Sequence, residues 1–192
     1  MKYMILRSFA ATTLAVLVST PATANQTDFS RLSYAPWDKT CLNETCFVWS
    51  DGHSSLDCGP VVSATLIEQV GKPKKTLRIT LLPRVNMARG VRIIIDDGEA
   101  IERPYAGCRA NGCTTDYEAG AELITKLKHG RILGLEVVDN ANSPISLAIP
   151  ILGFADAYDG ASHQPKVVET TAKELQAEIE KRKVRCEMGQ SQ

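Results

Sequence analysis

Apolar and polar residues alternate along several short stretches of the chain, the period of two that marks a strand with one face in a core. Leu77, Ile79 and Leu81 alternate with Arg78 and Thr80. Val91, Ile93 and Ile95 repeat the pattern, and Asp97-Gly98 behind them is a strong turn signal. Ile101 to Tyr105 supplies a returning strand. Ile132 to Val138 is a mostly apolar run, turned by the polar segment from Asp139 to Pro144, after which Ile145, Leu147, Ile149 and Ile151 alternate again. With Val61–Glu68, about six or seven strands are expected. Short strands punctuated by turns point to an antiparallel sandwich or barrel rather than a parallel α/β sheet.

Two segments carry helical spacing instead. Thr115 and Glu118 stand as a capping box. Leu123, Ile124 and Leu127 then give an apolar face, with Lys126, Lys128 and His129 at the negative end and Gly130 as terminator. Gly120 would cost about 1 kcal/mol relative to alanine inside such a helix, so its first turn is expected to be irregular. After Gly160, Ala161 to Pro165 reads as a linker, and Val167 to Arg185 as a charged helix. Val168, Ala172, Leu175 and Ile179 trace one narrow stripe on it, and Cys186 continues that stripe. A helix this polar needs docking to persist.

The amino terminus changes the compartment. Lys2 and Arg7 precede a short apolar stretch from Phe9 to Val18, and Ala22-Thr23-Ala24 offers a cleavage site after Ala24. That is the plan of a secretory signal peptide. The apolar run is too short to span a bilayer, which takes about 20 residues, and no later stretch qualifies. The expected organisation is a signal peptide over 1–24, a mobile leader over 25–36, a β domain over 37–160, and a linker with charged helix over 161–192. Removing the signal takes away Lys2 and Arg7 and leaves a net charge of about −2, which argues against nucleic acid as a partner.

All six cysteines, Cys41, Cys46, Cys58, Cys108, Cys113 and Cys186, fall in the exported part. An even number in such a chain reads as disulfides whose pairing the spacing leaves open. A metal site is disfavoured because no histidine lies within either close cysteine pair. Asp51, His53 and Cys58 are near one another in sequence, but nucleophilic catalysis needs hydrogen-bond contact that nearness does not supply. Asp96-Asp97-Gly98-Glu99 lacks the spaced ligand set of a calcium loop. No catalytic residue, metal or cofactor is therefore expected. Redox chemistry at Cys108/Cys113 is the alternative, since Cys113 stands just before the expected helix start. Trp49 and Tyr117 are candidate binding-surface aromatics.

Several pieces in order carry a family resemblance. They are Trp37-Asp38-Lys39-Thr40-Cys41 with Cys46, Pro73 to Leu81, Gly90 to Asp96, Cys108-Arg109-Ala110-Asn111-Gly112-Cys113 with Asp116-Tyr117-Glu118, and Phe154 to Gly160. Together they resemble the invasion-associated locus B family of bacterial envelope proteins. The resemblance implies a mainly β, antiparallel sandwich-like single domain with one internal helix and a C-terminal helix, stapled by disulfides. It implies a periplasmic or surface location and carries no catalytic site. The family is named for a role in host-cell invasion. Two departures stand out. Where the family reads Leu-Pro-Leu-Gly, this chain has Leu82-Pro83-Arg84-Val85, so the 83–90 loop should differ, and Arg84 with Arg89 makes it more basic. Cys58 and Cys186 look additional to the family's two short-range pairs, which implies Cys41–Cys46, Cys108–Cys113 and Cys58–Cys186. The functional expectation is a non-enzymatic envelope protein that binds an unidentified envelope or host protein.

Overall fold

The structure, a computed structural model, describes residues 32–54 and 59–163, with 176–177 and 180–181. The signal segment, most of the leader, Cys58, Cys186 and most of the charged C-terminal stretch lie outside the described residues.

The alternating stretches become two antiparallel sheets. In the first, β2 (Asp38–Leu42) and β3 (Thr45–His53) form a hairpin through Asn43, which turns with φ 51°, a left-handed value that asparagine tolerates better than most residues. β1 (Ser33–Tyr34) continues along the same edge of β3. Strand pairing thus begins inside the segment expected as a mobile leader. The sheet runs on through β4 (Pro60–Gln69) and β5 (Thr76–Leu81) to β9 (Gly112–Glu118) and β8 (Gly107–Arg109). The second sheet has the order β11 (Pro144–Pro150), β10 (Ile132–Val138), β6 (Val91–Ile95), β7 (Ile101–Arg103). Of the strands beyond the sequence expectation, β1, β2 and β8 are short edge and hairpin pieces, whereas β3 and β9 are long but turn Ser50, Gly52 and Thr115 inward, which blurs the period.

One helix start differs from the place that the spacing predicts. Thr115 and Glu118 lie in β9, not in a capping box. Cys113, Thr115 and Tyr117 all turn inward and are at most 1 % exposed, and Ile79 of β5 pairs directly with Thr115. Cross-strand pairing with a buried face outweighs the local cap. The helix itself, α1 (Ala121–His129), begins after Gly120, whose extended backbone makes it the N-cap, so the expected glycine penalty does not arise. Gly130 ends it as expected, its N–H donating to Lys126 O. A second short helix, α2 (Phe154–Asp159), has no counterpart in the sequence expectation.

The inner faces of both sheets share one core with Leu123, Leu127 and Phe154 of the helices. Trp37 bridges them: its Nε1 donates to Pro150 O at 2.8 Å, and its ring meets Phe154 edge-on at 5.1 Å. The fold is the disulfide-stapled, sandwich-like β domain that the resemblance implies.

Candidate functional site

Basic side chains stand on and beside one firmly held loop. Residues 82–90 connect β5 to β6. Val85 is buried and bridges to Asp139, Asn86 N–H donates to Val138 O, and Asn140 N–H donates to Arg84 O. These bonds fasten the loop to the turn between β10 and β11. The valine that departs from the family pattern is thus an anchor. The left-handed residue is Gly90 instead, at φ 68°, where a side chain would strike Arg103 O at 2.6 Å. Met87 Sδ rests against Cys108 Sγ on β8, although both residues are exposed.

These contacts bring Arg84, Arg89, Arg103 and Arg109 to neighbouring backbone, all of them exposed. Arg103 donates to Glu102 O, and Arg89 and Arg109 make no ion pair among the described residues. Arg84 and Arg89 are legible in the sequence as a basic loop. Arg103, Arg109 and Met87 are not, because the contact that unites them joins segments far apart in the chain. A chain whose full sequence carries no net charge thereby presents four exposed arginines on adjoining segments, with Glu102 and Asp139 beside them.

The other candidates divide differently. Trp49 is half-buried on the outward face of β3, away from the arginines. Tyr117 is a correction: it is 1 % exposed, and its hydroxyl donates to Val91 O at 2.8 Å. It is a core residue because the inward alternation of β9 carries it, and burial raises its pKa. Cys41–Cys46 and Cys108–Cys113 are bonded, each joining directly opposed strand residues. Cys58 and Cys186 lie outside the described residues. The redox alternative loses its structural premise, since Cys113 is buried in β9 and not at a helix N-terminus.

A second charged cluster is spoken for internally. Lys39, Lys75 and Lys128 converge on the Tyr158 ring at 6.0, 5.0 and 4.5 Å. Lys75 also pairs with Glu68 at 2.6 Å and donates to the Tyr158 hydroxyl. Lys128 pairs with Asp159, and Lys39 donates to Tyr158 O and Gly160 O at the C-terminal end of α2. Burial alone would lower the Lys75 pKa, but Glu68 and Tyr158 outweigh it and hold the ammonium above its usual range. The cluster pins α2 to the strands and leaves little net charge for a ligand.

Other chemistry is equally engaged. Asp96 of the suspected calcium loop accepts from Arg131 and Ile132 N–H at 3.0 and 2.9 Å, closing the hairpin onto β10. Asp51 and His53 face outward two residues apart on β3. Among the described residues no cluster suits a metal ion. A cleft between α1 and the second sheet, lined by Ile93, Ile95, Ile101, Leu123 and Lys126, has room only for a water-sized guest.

Comparison with known proteins places the architecture. No curated protein matches the chain. A solved structure, the crystal structure of invasion associated protein b from Bartonella henselae, aligns with a TM-score of 0.58 at 20% identity, covering 66% of this chain and 92% of that one. That likeness concerns the fold. The sequence pattern of the invasion associated locus B (IalB) protein family matches residues 37–162, from the tryptophan that bridges the sheets to the residue before His163. On that match the chain belongs to the invasion associated locus B protein family.

Proposed function

We propose that this is a non-enzymatic, exported envelope protein that binds an acidic protein surface or an anionic envelope component through its basic end. The carrying observation is that the loop fastened by Val85 and Asn86 sets exposed Arg89 and Met87 beside the strands that bear exposed Arg103 and Arg109. Cations carried on held backbone around an exposed thioether form a surface that accepts anionic groups without first ordering the loop. Export fits the amino-terminal pattern, and the cross-strand disulfides fit an oxidising compartment. No described helix is long and apolar enough to cross a membrane. Family membership supports a link with invasion, read here as a consequence of binding rather than of catalysis.

Charge reversal tests the reading. Arg89→Glu with Arg109→Glu should weaken association of the mature protein with isolated envelope vesicles by about tenfold or more. Arg131→Glu, on an exposed residue at the opposite end of β10, should leave it unchanged. Equal binding by all three proteins would remove the basic end from the function.

A further inference from the structure

The seven-stranded sheet has an outward face that the described elements leave bare. Strand register places Phe47 opposite Ile67 and Thr40, and Trp49 opposite Thr65 and Asp38. Leu42, next to this row, is 53% exposed. Phe47, Trp49 and Ile67 are half-buried and stand outside the core cluster. Both described helices contribute to the core on the sheet's other side.

We propose that the C-terminal stretch from Val168 to Ile179 lies across this outward face and covers Leu42, Phe47, Trp49 and Ile67. The place where the chain leaves the β domain favours this. His163 bridges to Thr40 in parallel, its N–H donates to Lys39 O at 2.7 Å, and its Nδ1 meets Asp38 Oδ1 at 2.5 Å. Asp38 and Thr40 share the outward face with Trp49 and Phe47, so the departure point stands at the rim of the bare surface.

The stretch beyond His163 matches that surface in pattern and length. Val168, Ala172, Leu175 and Ile179 repeat at helical spacing on one stripe. Gln176, Ala177, Glu180 and Lys181, which lie off the stripe, are helical and exposed. A helix over 167–186 would be about 30 Å long, and β3, with 9 residues, spans about 30 Å. Covering the sheet in this way leaves the arginine-bearing end open, so the docking does not depend on the proposed binding role.

The full mature chain carrying Phe47→p-benzoylphenylalanine, irradiated and mapped by mass spectrometry, tests the docking with an unaltered tail. The expected product is an intramolecular cross-link to a residue within 167–182. Cross-links that join two chains would assign the face to a second copy and overturn the proposal. Cross-links to another segment, or none, would overturn it too. In the same background Leu175→Asp should abolish the product, and Gln176→Asp should keep it. A cross-link that survives Leu175→Asp would contradict the stripe as the contact.

Discussion

Thr115 shows at the scale of one residue what the sequence hides. Its hydroxyl is fully buried and has no hydrogen-bond partner, although its neighbours in β9 pack well. An unpaired buried hydroxyl costs stability, and valine has nearly the same shape. Thr115→Val should therefore stabilise the protein by about 1 kcal/mol in urea unfolding; a loss of that size would show that the hydroxyl has a partner in solution. The two buried tyrosines make a matched contrast. Tyr117 donates to Val91 O, whereas the Tyr105 hydroxyl is unpaired, and burial pushes its pKa up to about 12. Tyr117→Phe should cost about 1 kcal/mol by removing the hydroxyl that donates to Val91 O, and Tyr105→Phe should be neutral or mildly stabilising. Equal costs would contradict the assignment. Residue chemistry is legible here, but facing is not. The alternation Cys113, Thr115, Tyr117 includes a polar side chain in the core, and that breaks the period that would mark a strand.

Elements are legible where the pattern is long. β5, β6 and β11 show clean alternation and β10 a mostly apolar run, and all four occur close to their expected bounds. Short pieces escape for physical reasons: β8 has only three residues and is held by the local Cys108–Cys113 hairpin staple, and α2 is specified by Trp37 and three lysines distant in sequence. The pairing of β5 with β9 also carries a titratable contact. Arg78 Nε and Nη2 donate to the Asp116 carboxylate at 2.7 and 2.8 Å, and this holds the Asp116 pKa below its ordinary value despite partial burial. A carboxylate depressed in the folded state adds stability above its unfolded pKa and loses it as pH falls through the folded one. Both side chains are about a third or more exposed, so the gain is under about 1 kcal/mol. Asp116→Asn should be the less stable protein near pH about 7, and the gap should close near pH about 2. A gap independent of pH, measured by denaturant unfolding, would mean that packing rather than charge makes the difference.

At the scale of the whole molecule, the family pattern reaches the fold and the two local disulfides but not the basic end. Arg84 and Arg89 are readable as a more basic loop. That Arg103 and Arg109 join them depends on Met87 meeting Cys108 and on Gly90 closing against Arg103, which are tertiary facts. The expected Cys58–Cys186 link concerns residues outside those described, and non-reducing peptide mapping addresses it. Cys58 joined to Cys186 would close a long loop and contribute about 4–5 kcal/mol on a chain-entropy basis; Cys58 found with Cys41 or Cys46 would contradict both that link and the β2–β3 staple. The binding role rests on cations, so its most direct test is salt. Affinity of the mature protein for envelope vesicles, titrated from about 0.05 to about 0.5 M salt, should fall steeply for the wild type, because exposed charges are screened. The slope should be much shallower for Arg89→Glu with Arg109→Glu, whose binding is already weak. The same slope and affinity in both proteins would contradict recognition through this end.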